Sequence, residues 1–205
     1  PEALGHLTKE YVTIAVAGAH GKSTTTAMIG LLLEKAGLDP TVVVGTKLKE
    51  FGGSNFRMVK SNYLVIEACE YDGSFLNYMP QIIVVTNIDR EHLDYFKTFA
   101  NVKKVFRDFI LKLPPNGYLV MNADDPNSKF KSQNAKPKFK IQKFSLHQPE
   151  AKKIKLQIPG KHNIANALAA LAVARILQIP DEVSFKSLSE YQGSWRRFEI
   201  KSAEL

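Results

Sequence analysis

The chain of 205 residues is long enough to bury a sizeable core, as one large domain or two small ones. Its 44% hydrophobic and 23% charged content is that of a soluble globular protein; no apolar run approaches the roughly 20 residues that span a membrane, and no signal-peptide pattern opens the chain. One cysteine, Cys69, excludes an intramolecular disulfide and fits a reducing, cytoplasmic compartment, while the net charge of +8 admits nucleic acid, an acidic surface or a small anion as partner.

Taken in chain order, short apolar runs alternate with helical segments, the pattern of βαβ units around a mostly parallel sheet. "YVTIAVA" (11–17) is a continuous β-branched run, as in a strand buried on both faces. Residues 22–36 carry helix formers with apolar spacing at Ala27, Leu31 and Ala36, and Gly37 supplies a stop. "TVVVG" (41–45), "NYLVIEA" (62–68), "QIIVVTN" (81–87) and "GYLVMN" (117–122) are further strands; a helix over 99–113 ends at Pro114 and Pro115. The lysine-alternating stretch 137–158 predicts a small antiparallel β extension with one wet face, preceded by a mobile connection over 123–138. An alanine-rich helix, "HNIANALAALAVARILQI", and a shorter helix near 184–191 complete the fold. The lysines of 129–155 lie along strands and turns with few aromatics and no RNA-binding signature, which argues against nucleic acid.

The stretch "GAHGKSTTT" (18–26) joins the first strand to the first long helix, where a phosphate-binding loop belongs. The usual spacing, G-x-x-x-x-G-K-[ST], needs a glycine five positions before Gly21, but Val16 stands there and the first glycine is Gly18. Position still favours an anion: a helix N-terminus offers unpaired N–H groups and about half a positive charge. Lys22 adds a full charge, and Ser23 places a hydroxyl where Mg²⁺ on a polyphosphate takes a ligand. The competing reading is an ordinary strand-to-helix turn. Thr24, Thr25 and Thr26 weigh against it, because three successive β-branched hydroxyl residues are poor helix formers.

Further candidates cluster after the buried strands, where open α/β sheets bind ligands. Glu67, Glu70 and Asp72 follow one strand; Asn87, Asp89, His92 and Asp94 follow another. An imidazole is not a favoured Mg²⁺ ligand, so His92 suits an orienting role as well as a ligating one. Asn163 opens the alanine-rich helix, where it fits a cap or a ligand contact, with Asn166 beside it. Arg196 and Arg197 offer guanidinium groups suited to phosphate.

Five stretches together resemble the Mur ligase family, in particular its alanine-adding branch: "GAHGKSTTT", "VIEACEYDGSFL" (65–76), "VVTNIDREHLDYF" (84–96), "GYLVMNADDP" (117–126) and "IPGKHNIANALAALAVA" (158–174), followed by "YQGSWRRFE" (191–199). The shortened loop, with its first glycine three residues before the second, is a hallmark of that family. The resemblance covers about residues 2–199 and implies the central ATP-binding domain over 1–205, with a UDP-sugar domain and an amino-acid domain lying outside this chain. It implies an ATP-dependent, amide-forming ligase that works through an acyl phosphate, with UDP-N-acetylmuramate-type and amino-acid substrates and Mg²⁺. It assigns nucleotide contact to Gly18, Ala19, His20, Gly21, Lys22, Ser23, Thr24, Asn163, Asn166 and Arg197, metal contact to Ser23, Glu67 and His92, and catalysis to Lys22, His92 and Arg197. Two departures stand out: Cys69 and Glu91 replace aspartates of the branch. "EYD" instead of E-S-D is similar to the tripeptide-salvage ligases, which with folylpolyglutamate synthetase-like ligases form the alternative; a nucleic-acid-binding P-loop ATPase is a more distant one.

Overall fold

The computed structural model describes residues 2–128 and 137–193. Arg196 and Arg197, and the lysines at 129, 131 and 136, lie outside the described residues. After a short helix α1 (Glu2–Leu7) the chain builds β1 (Val12–Ala17), α2 (Lys22–Lys35), β2 (Thr41–Leu48), β3 (Ser54–Arg57), β4 (Tyr63–Glu67), β5 (Ile82–Val85), α3 (Leu93–Phe96), α4 (Phe99–Ile110), β6 (Tyr118–Asn122), β7 (Lys140–Phe144), α5 (Lys161–Ile176) and α6 (Asp181–Glu190). The strands form one sheet in the order β3-β2-β4-β1-β5-β6-β7, parallel throughout except for the β2–β3 pair.

The continuous apolar runs have a direct cause: both faces of the central strands are buried. Ile14, Val16, Val65, Val84 and Val120 face the core beneath α2, α5 and α6, whereas Ala15, Leu64, Ile83 and Leu119 face a second core holding Phe75, Phe106 and Phe109. α2 is itself buried nearly all round, a wider face than the Ala27–Leu31–Ala36 stripe suggests. It ends as its glycine requires. Gly37 (φ 77°) donates to Glu34 and Leu38 donates to Leu33, satisfying carbonyls that the last turn leaves open. The alanines of α5 let it lie closely on α2 and the sheet, with Ala167, Ala169, Ala170 and Ala174 almost fully buried.

The expected antiparallel extension over 137–158 is not formed. β7 runs parallel to β6, with Tyr118 opposite Lys140 and Asn122 opposite Phe144, and Pro149–Lys152 is a 3₁₀ turn. The alternating apolar residues beyond it, Ile154 and Ile158, seal the edge of the α2/α5 core from an irregular strap. Period-two burial needs only an extended chain against a core, and a parallel strand is within reach because the connection 123–139 is long enough to cross back. The antiparallel pair sits at the opposite edge, where Val42 faces Arg57 and Val43 faces Phe56. The start of the expected mobile connection is pinned: Asp124 and Asp125 both bind neighbouring segments through their carboxylates.

Candidate nucleotide and metal site

The carboxyl ends of β1, β4, β5 and β6 converge with the N-terminus of α5 on one rim of the sheet, and the loop 18–21 lies at its centre. Gly18 (φ 141°) and Gly21 (φ 82°) adopt backbone that side chains avoid, and a Cβ on either would overlap a neighbour, Thr86 Oγ1 in the first case and Asn166 Oδ1 in the second. The strand-end pair Thr86–Asn87 holds the loop. Asn87 accepts the Ala19 amide on its backbone oxygen (3.1 Å) and the His20 amide on Oδ1 (2.9 Å); its Nδ2 and the Thr86 hydroxyl both donate to the His20 carbonyl, at 3.0 and 2.6 Å. The amides left for an anion are therefore those of the first turn of α2, from Gly21 onward, which have no partner within a helix.

Lys22 opens that helix. Its ammonium donates to the carbonyls of Gly18 (2.5 Å) and Ala19 (3.1 Å) and pairs with Glu70, 3.2 Å from Oε2 and 3.4 Å from Oε1. Glu70 is 1% exposed, so the pair is held largely away from water. Sequence alone placed Glu70 among the acidic candidates and left the partner of Lys22 unnamed; the signal is its place just past a strand adjacent to β1. Next to Lys22, Ser23 is 1% exposed and its Oγ has no hydrogen-bond partner among the described residues. A buried, unsatisfied hydroxyl costs about 1–3 kcal/mol, so its position here points to a ligand. Thr26 returns its hydroxyl to the Lys22 carbonyl (2.8 Å), which accounts for one threonine of the run as a local helix contact.

Glu67, at the end of β4, accepts the Gly45 amide on Oε2 at 2.7 Å, and a side chain at position 45 would displace it. His92 stands apart from Glu67 and close to Glu70, with Nε2 4.0 Å from Oε1, in left-handed backbone (φ 55°) at the start of α3. Glu70, Glu91 and His92 each bring one donor atom within 4.8 Å of the others. Glu91, the longer acid in place of an aspartate, reaches His20 Nδ1 at 3.2 Å.

On the other side of the loop a cleft of about 510 Å³ is lined by His20, Gly21, Asn122, Phe144, Leu146 and Asn166, among others. Asn163 does not cap α5; its Nδ2 donates to the Pro159 carbonyl (2.6 Å) and its Oδ1 lies 3.5 Å from Asn166 Nδ2, so it positions Asn166 against Gly21. The "NADDP" segment builds the floor. Asp125 accepts the Ile88 amide (2.8 Å), and Asp124 accepts the Ser145 hydroxyl (2.6 Å) and the Leu146 amide (2.7 Å). Burial pushes the Asp124 carboxyl upward, but these two hydrogen bonds together with the nearby His147 outweigh it and hold the group below its ordinary value.

Comparison with known proteins gives the family. The model of the Mur ligase middle domain matches residues 16–174. A UDP-N-acetylmuramate–L-alanine ligase from Caldicellulosiruptor saccharolyticus is 45% identical over 97% of this chain and 49% of its own length. Crystal structures of two ligases share the fold with a TM-score of 0.82 each. One is the UDP-N-acetylmuramate–alanine ligase of Thermotoga maritima, 23% identical, covering 98% of this chain and 49% of that one. The other, from Neisseria meningitides, is named for L-alanyl-γ-D-glutamyl-meso-diaminopimelate as its peptide; it is 24% identical over 96% of this chain and 71% of that one. The chain spans about half the length of the curated relatives it matches. By sequence and by fold, it belongs to the Mur ligase family, whose middle domain it carries.

Proposed function

We propose that this chain is the ATP-binding catalytic domain of a peptidoglycan-precursor ligase that joins L-alanine to UDP-N-acetylmuramate, with UDP-sugar and amino-acid domains supplied by the rest of the ligase. The observation that carries the proposal is the buried Ser23 hydroxyl without a partner, beside Lys22 on the first turn of α2. A polyphosphate on that turn meets the open amides and the ammonium, and Lys22 exchanges the Gly18 and Ala19 carbonyls and Glu70 for phosphate oxygens. The oxygens of Ser23 and Glu67 suit Mg²⁺, which when bound would neutralise phosphate charge; the His92 imidazole suits the orienting of an acyl group better than binding a hard cation. The cleft past Gly21, apolar at Phe144 and Leu146 and carrying amides at Asn122 and Asn166, has the chemistry of a purine site.

In the reaction, a carboxylate oxygen of the muramyl substrate attacks the γ-phosphorus and ADP leaves. The alanine amine then attacks the acyl carbon of the resulting acyl phosphate, and phosphate departs. Phosphoryl transfer of this kind depends on positioning and charge neutralisation, the work that Lys22 and the helix amides are placed to do. Calorimetric titration of the chain with Mg²⁺–ADP tests the nucleotide half. Saturable heat is expected, with affinity falling about tenfold or more in Lys22→Ala as a charge-assisted contact is lost. Equal affinity in the variant contradicts the assignment. Phosphate release by the full-length ligase, compared between L-alanine and the tripeptide, decides the acceptor; the 45% relative favours alanine.

A further inference from the structure

Lys22 has two sides. The nucleotide cleft occupies one, and on the other the residue after Glu70 is Tyr71, whose ring meets His92 edge-on with centroids 5.0 Å apart and Tyr95 at 5.5 Å. Both tyrosines are exposed, at 45% and 44%, although a surface position of this kind gains nothing for the core. They are nevertheless held: Tyr71 packs against both His92 and Tyr95, and Tyr95 packs edge-on against Phe96 (5.0 Å). An exposed aromatic pair fixed in place next to the phosphoryl site is built to receive something.

Resting on the ligase reading above, we propose that Tyr71 and Tyr95 form the platform on which the sugar ring of the acyl substrate packs. The carboxylate of that substrate must reach the γ-phosphate beside Lys22, which sets its carbon skeleton on the Glu70–His92 side, away from the nucleotide. A pyranose presents an apolar C–H face and polar edges, and a tyrosine presents the complementary ring and hydroxyl. Because the rings are already ordered by their neighbours, little conformational entropy is lost on binding.

The test uses steady-state kinetics of the full-length ligase with Tyr71→Ala, Tyr95→Ala and the two Phe variants. KM for UDP-N-acetylmuramate should rise about tenfold in each Ala variant while KM for ATP stays within about twofold, and Phe should restore it, as expected of a stacking contact. Inhibition by UDP, which lacks the sugar, should keep its strength. An unchanged sugar KM, a parallel rise in both KM values, or UDP inhibition weakened to the same extent overturns the proposal. A wild-type enzyme that releases no phosphate with UDP-N-acetylmuramate and alanine overturns the ligase reading, and the platform with it.

Discussion

Asp125 touches no substrate in the proposed reaction, yet a single carboxylate sets the position of two site residues. It accepts the Ile88 amide at 2.8 Å, and Ile88 follows Asn87, which holds the Ala19–His20 segment of the loop; four residues further on is His92. Its second oxygen accepts the Asn127 amide at 2.9 Å, closing the turn after β6 on itself. Asp125→Ala should remove both hydrogen bonds to the carboxylate, each worth about 1.5–3 kcal/mol, and lower affinity for Mg²⁺–ADP, whereas Asp125→Asn, which keeps one carbonyl acceptor for the two amides, should recover only part of it. Calorimetry of both variants, with denaturant midpoints alongside, separates loop positioning from general stability: a positioning role requires the Ala variant to lose more nucleotide affinity than its fold stability explains. The place of Lys22 and Ser23 on the first turn of α2 was legible in sequence because a loop between strand and helix fixes where its next residues go. That of Glu70 was not, since 48 residues separate it from Lys22 and only the adjacency of β4 to β1 brings them together.

Among the elements, the parallel strands announced themselves through unbroken apolar runs, because burial on two faces leaves no polar alternation. β7 did not. As the edge strand it is exposed along Lys140–Lys143, and lysines there discourage pairing with another chain, so its pattern mimics half of a wet hairpin. β3, four residues long and directly after Gly52 and Gly53, has too little apolar content to read as a strand at all. The junction of α5 and α6 depends on charge. Arg175 donates to Asp181 from Nε (3.0 Å) and Nη2 (2.7 Å) and to Glu150 (2.8 Å), tying α5, α6 and the Pro149–Lys152 turn together. The guanidinium hydrogen bonds hold the Asp181 carboxyl below its ordinary value against the opposing effect of burial. A carboxylate lowered by folding adds stability above its unfolded pKa of about 3.9 and loses it as pH falls through the folded value. Asp181→Asn should therefore cost about 0.5–1 kcal/mol at neutral pH, a small figure because the pair is partly exposed, and the difference from wild type should shrink as pH drops below the carboxylate range. Urea unfolding at pH 7 and pH 3 measures it; a penalty that is equal at both pH values contradicts the assignment.

At the scale of the whole molecule, the two cores lie on opposite faces of the sheet, but the site belongs to neither. It is assembled from the ends of β1, β4, β5 and β6 and the start of α5, segments that are distant in sequence and meet only on the sheet rim. A ligand that bridges the α2 turn and the cleft therefore links elements distant in sequence, and it binds the folded chain without binding the unfolded one. Stabilisation then follows RT ln(1 + [L]/Kd), about 2.7 kcal/mol at a hundredfold excess over Kd. For a chain of 205 residues this corresponds to a rise in Tm of roughly 5–10 °C. The rise should grow with the logarithm of Mg²⁺–ADP concentration in differential scanning calorimetry, and it should be largely lost in Lys22→Ala. DNA at equal phosphate concentration should leave Tm within about 1 °C at physiological salt, because scattered exposed lysines give weak, screened contacts. The opposite pattern, with DNA raising Tm and nucleotide leaving it unchanged, would move the +8 charge from the surface of a ligase domain to the centre of the protein's function.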